Sequence, residues 1–166
     1  GQRPIYSFGL QHRACQLLVK YLLSCFIDLK DWHYDFRGQK VAAEKIRMAM
    51  NEGFVHSRRM DIETFFGTFN KAEISKKVPA PHASKQIIVI LALKSVVFYL
   101  YKKSRNTSLT LARRGIPQGA ISSPYYAAVV LSHLRSENPE DIRLFVYVDD
   151  FLILGKSQKA VEQFAK

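Results

Sequence analysis

Apolar positions recur at helical spacing near the start of the chain. Leu17, Leu18, Tyr21, Leu22, Cys25 and Phe26 repeat every three or four residues and predict a helix over 13–27. The stretch 28–38 is irregular and aromatic, with Trp32, Tyr34 and Phe36, and Arg37-Gly38 suggests a turn. Ala42, Ile46 and Ala49 mark one face of a second helix over 41–50, with Arg47 on another. Asn51-Glu52-Gly53 ends that helix, because glycine supplies a left-handed cap. Residues 54–62 read as a strand, and a turn follows at Phe65-Phe66-Gly67. A short basic helix over 71–77 stops before Pro79 and Pro81. Residues 84–101 predict a long apolar helix, 102–114 a basic hairpin or loop, and 115–123 a further loop. A helix over 125–135 is broken by Pro139. In 144–154 two apolar strands flank Asp149-Asp150, and 155–166 reads as a turn and the start of a helix. Strands and helices do not alternate regularly, which argues for an α+β fold with helices against an antiparallel sheet. The sequence shows no internal repeat, low-complexity segment or linker.

Composition narrows the classes. A chain of 166 residues, 48% hydrophobic, suits one domain or two lobes sharing a core and excludes wholesale disorder. Lys and Arg number 25 against 14 acidic residues, a formal charge of +11. That balance fits a polyanionic partner, although a soluble basic protein without nucleic acid would show it too. Cys15 and Cys25 form no close pair and the histidines are scattered, which argues against a zinc site or disulfide framework. A reducing, cytoplasmic location is expected. There is no signal-peptide pattern, and the apolar run 86–101 is short for a membrane span and carries Lys94, so no membrane association is expected. The final helix stops at Lys166 without a cap, which suggests a fragment of a longer protein.

The carboxylates bear the chemistry. Asp149 and Asp150 lie between two apolar runs and, in a hairpin, would occupy the tight turn. Adjacent anions beside a low-dielectric core repel, and a divalent cation with hard oxygen ligands relieves that cost. An exposed Asp-Asp turn is the bland alternative. Asp61 ends the predicted strand over 54–62, where capping a turn is again the ordinary explanation. Two strands that each present carboxylate at one point can bind a pair of metals, about 3.5–4 Å apart, for in-line phosphoryl transfer.

At these residues the chain resembles the reverse transcriptase family. Tyr147-Val148-Asp149-Asp150 is similar to its Tyr-x-Asp-Asp box. Arg114-Gly115-Ile116-Pro117-Gln118-Gly119 followed by Ser123-Pro124 resembles its Pro-Gln-Gly motif with the downstream Ser-Pro of bacterial members. Asp61-Ile62-Glu63-Thr64-Phe65-Phe66 is similar to its first catalytic motif, and Phe36-Arg37-Gly38-Gln39-Lys40 to the fingers motif upstream. These motifs stand in family order across 36–154 and together are specific. Ile27-Asp28-Leu29-Lys30-Asp31-Trp32 is a rival first motif, rejected because it directly continues an apolar helix and lies upstream of the fingers motif.

The resemblance implies a right-hand palm with helical fingers: fingers over 1–55 and 71–114, palm over 56–70 and 115–166, thumb beyond Lys166. It implies an RNA-directed DNA polymerase with two Mg2+ ions, for which Mn2+ could substitute. Its partners would be an RNA template, a DNA primer or product, and deoxynucleoside triphosphates. Asp61, Asp149, Asp150 and the backbone carbonyl of Ile62 would be ligands. Arg37 and Lys40 would grip the triphosphate, Gln118 and Gly119 would line the nucleotide pocket, and Tyr147 would touch the primer end. Phe66 would exclude a ribonucleotide 2′-hydroxyl. Val148, where bacterial members often have Ala, and Gly67-Thr68-Phe69 after the aromatic pair depart from the commoner pattern and leave open the subgroup, whether group II intron-like, retron or defence-associated. Two alternatives stand beside templated synthesis: a phage-defence relative making untemplated or self-primed DNA, and a catalytically silent nucleic-acid-binding scaffold.

Overall fold

The structure is a computed structural model that describes residues 8–62, 65–68, 70, 74, 76–78, 81, 115–116, 119–133 and 138–166. The predicted apolar helix over 84–101 and basic loop over 102–114 lie outside these residues. In chain order the elements are α1 (Leu10–Ser24), α2 (Gln39–Asn51), β1 (His56–Asp61), α3 (Phe65–Thr68), α4 (Ser123–Leu131), β2 (Ile142–Tyr147), β3 (Asp150–Gly155) and α5 (Gln158–Phe164). They belong to two compact units, each drawn from separate stretches: 1–28 with 64–131, and 29–63 with 132–166.

The first unit is helical. Val19 and Leu23 of α1 pack with Ile74, Val78, Ile116, and Tyr126 and Val129 of α4. Burying each such aliphatic side chain contributes roughly 1.5–3 kcal/mol. The buried face of α1 is Gln16, Val19 and Leu23, whereas Leu18 and Tyr21 are 63% and 62% exposed. This corrects the stripe read from the sequence: α1 is apolar around most of its girth, so spacing specifies a helix without selecting its inner face. The helix also begins and ends earlier than 13–27. Buried Gln16 ties it to the approach of α4, its Oε1 accepting from the Ile121 N–H at 3.1 Å. α4 starts at Ser123, where Pro124 suits the first turn. Phe65–Thr68 is one helical turn rather than the expected reverse turn.

The second unit is built on an antiparallel sheet in the order β1-β3-β2. Central β3 buries Phe151, Ile153 and Leu154. The outer edge of β2 is covered by the irregular segment before α2. Trp32 O accepts from the Val146 N–H at 2.8 Å, and the Tyr34 N–H donates to Val146 O at 2.9 Å, a short parallel pairing. The β1 side presents exposed Arg58 and Arg59, whose charges discourage edge-to-edge pairing. Ala42, Ile46 and Ala49 of α2 do face inward, against Tyr34, Phe54, Phe145 and Leu154. Gly53, at φ +95°, lets the chain turn sharply after α2, and the Phe54 N–H donates to Ala49 O at 3.1 Å. Phe54 thus belongs to the core, and β1 is shorter than 54–62. Ser157 caps α5, its Oγ accepting from the Ala160 N–H at 3.2 Å.

Candidate active site

The β-sheet register sets the site. Asp61 of β1 pairs with Asp150 of β3, which pairs in turn with Tyr147 of β2, giving one row across three strands. Val148 and Asp149 form the two-residue loop between β2 and β3. Only Asp149 therefore occupies the turn; Asp150 opens the strand, a correction to the placement of both in the turn. Like charges directly opposed across strands destabilise a sheet unless compensated. Arg59 supplies compensation. It lies two residues before Asp61, on the same face of β1, and its Nε and Nη2 donate to Asp150 Oδ1 at 3.0 and 2.6 Å. The hydrogen bond to Asp150, together with the charges of Asp150 and Asp61, raises the guanidinium pKa further. On the α2 side a cavity of about 240 Å³ is lined by Tyr34, Ala42, Ile46, Arg59, Tyr147 and Asp150.

The loop itself is strained. Val148 has φ +57°, a left-handed conformation that a β-branched residue rarely adopts. Such strain costs on the order of 1–3 kcal/mol and persists where the surroundings enforce it. Two-residue hairpin loops favour positive φ at their first position, since it matches the strand twist. The Val148 N–H donates to Asp35 Oδ1. The other oxygen, Asp35 Oδ2, lies 2.8 Å from His33 Nε2, and the two side chains are 2% and 0% exposed. A carboxylate has no proton to give, so Nε2 carries the hydrogen. Trp32 stacks on the His33 ring at 5.6 Å.

The remaining site candidates are placed as follows. The Arg37 guanidinium donates to Asp31 O at 3.3 Å and lies 5.8 Å from the Tyr34 ring centre. Lys40 is exposed in the first turn of α2. Ile62 is half-buried just past β1. Phe66, half-buried in α3, meets buried Phe65 edge-on at 5.1 Å. Gly119 is exposed at φ +92°, where glycine alone is at ease, and Gln118 lies outside the described residues. Gly115 packs on the Phe66-Gly67 backbone, and the Ile116 N–H donates to Phe66 O at 2.8 Å, tying the third motif to the first. Sequence reasoning missed Arg59 as a partner of Asp150, and missed His33 and Asp35. The first was legible as a strand residue sharing a face with Asp61; the last two act through contacts distant in sequence.

Among the described residues no three His, Cys, Asp or Glu side chains converge on one point as an ion site. Asp61 and Asp150 are brought together, Asp149 stands in the adjoining loop, and Asp150 leans on Arg59. The donor set of carboxylates and a backbone carbonyl nevertheless suits magnesium, and the opposed Asp61 and Asp150 gain from a cation. No described helix is long and apolar enough to cross a membrane.

No curated protein matches the chain. Comparison with family profiles matches residues 2–166 to the family described as reverse transcriptase (RNA-dependent DNA polymerase). With that match running over nearly its whole length, the chain belongs to the reverse transcriptase family.

Proposed function

We propose that the chain is the fingers and palm of an RNA-directed DNA polymerase that adds deoxynucleotides to a primer 3′-hydroxyl. The observation that carries the reading is the row Asp61–Asp150–Tyr147 with Asp149 in the adjoining loop, within a reverse transcriptase family chain. Asp61, Asp149, Asp150 and the Ile62 carbonyl would hold two Mg2+ ions, which when bound make the attacking hydroxyl more acidic and neutralise charge building on the phosphate. The chain's residues supply binding and alignment. Arg37 and Lys40 take the triphosphate as a fork and a point charge. Gln118 and Gly119 line the nucleotide pocket, Phe66 excludes the 2′-hydroxyl, and Tyr147 meets the primer end.

The test is incorporation of labelled deoxynucleotides on a primed RNA template with Mg2+, comparing the chain with Asp149→Asn. Template-dependent product that the variant fails to make is expected. Equal synthesis by the variant overturns the ligand assignment, and product independent of added template favours untemplated synthesis. In the same assay Phe66→Ala admits ribonucleotides if the gate is correctly assigned.

A further inference from the structure

Asp149 sits in a loop whose first residue is held in an unfavourable conformation, and the structure shows what holds it. Val148, at φ +57°, gives its N–H to Asp35 Oδ1, and Asp35 Oδ2 is hydrogen-bonded by His33 Nε2 at 2.8 Å. Both side chains are almost wholly buried. A buried carboxylate is costly unless its oxygens are satisfied, and here each oxygen has one of these two partners. The segment is fixed to β2 immediately before the loop, through Trp32 O with the Val146 N–H and the Tyr34 N–H with Val146 O. Trp32 covers the His33 ring, stacked within 13° of parallel.

We infer that Asp35 and His33 are positioning residues for Asp149. Asp35 clamps the Val148 amide and so enforces the left-handed turn that presents the Asp149 carboxylate, while His33 fixes the orientation of Asp35. The inference rests on the reading of Asp149 as an ion ligand. A glycine or asparagine in the loop would need no such clamp; a valine does.

Two readouts separate the clamp from the ion site. Hydrogen exchange at the Val148 amide, followed by NMR without metal, reads the clamp directly. Mn2+ affinity, measured by electron paramagnetic resonance, reads its effect on the carboxylates. In Asp35→Ala the Val148 amide is expected to exchange at least tenfold faster, while the ladder amides of β2 and β3 keep their rates. The Mn2+ dissociation constant is expected to rise at least fivefold. Adding Val148→Gly, which takes the turn without strain, should restore the affinity to within twofold of the wild type. Simple loosening of the fold would not be rescued in this way. Asp35→Leu, which keeps the volume but offers no acceptor, replaces Asp35→Ala if the latter does not fold. A folded variant with Val148 exchange or Mn2+ affinity within twofold of the wild type overturns the inference. An Asp149→Asn variant that binds Mn2+ as tightly as the wild type overturns the underlying ion-site reading, and the inference with it.

Discussion

Arg59 and Asp150 meet at the rim of the sheet, with side chains 75% and 47% exposed. Solvent screens such a pair, so its significance lies in occupancy rather than stability. On the proposed ligand assignment, the arginine and a divalent cation would seek the same carboxylate oxygen. Arg59→Ala should therefore bind Mg2+ more tightly, and Mg2+ should raise its melting temperature further than that of the wild type; an equal or smaller rise contradicts the competition. Tyr126 illustrates the opposite setting. Its side chain is 1% exposed, its hydroxyl has no hydrogen-bond partner among the described residues, and burial raises its pKa from the usual 10.0. The folded state thus keeps the phenolic proton where the unfolded chain loses it. The stabilisation is fully present below about pH 10 and is lost as pH rises through the higher folded pKa. Tyr126→Phe should be as stable as the wild type at pH 7, or more so by up to about 1 kcal/mol. It should also show a shallower loss near pH 11, with urea unfolding as the check. Asp149 and Asp150 were legible in the sequence as charges between apolar runs. Asp35 was not, because it reaches Val148 only when the segment before α2 lies along β2.

At the scale of elements, the hairpin was the most readable feature. Two apolar runs around Asp149-Asp150 left little choice but paired strands, and α2 showed its inner face through Ala42, Ile46 and Ala49. α1 did not, since apolar residues occupy most of its girth. The cover of β2 by Trp32–Tyr34 was also unreadable, because an irregular segment gains its partner from far along the chain. Gly115 lies close against the Phe66-Gly67 backbone. A Cβ there would collide with Phe66 O and stand 2.8 Å from Gly67 Cα, both backbone atoms that cannot rotate away. Gly115→Ala should cost about 1–3 kcal/mol in denaturant unfolding. A variant with unchanged stability would show that the backbone yields freely.

For the molecule as a whole, the charge of +11 predicts binding to nucleic acid that is strongly salt-dependent. If about four phosphates of a single strand are neutralised, the logarithm of the association constant should fall with that of salt concentration at a slope near −3. A flat dependence measured by fluorescence anisotropy would remove the polyanion from the account. The two units are each discontinuous, and their boundaries follow no composition shift. The sheet order has a consequence for synthesis on the ribosome. β3 is central yet follows the other two strands in the chain, and Arg59 is 91 residues ahead of Asp150. At roughly 5–20 residues per second, β1 emerges about 5–20 seconds before its partner exists. Its polar sequence, His56-Ser57-Arg58-Arg59, is well suited to that wait, since a nascent strand of such residues has little tendency to pair with neighbouring chains.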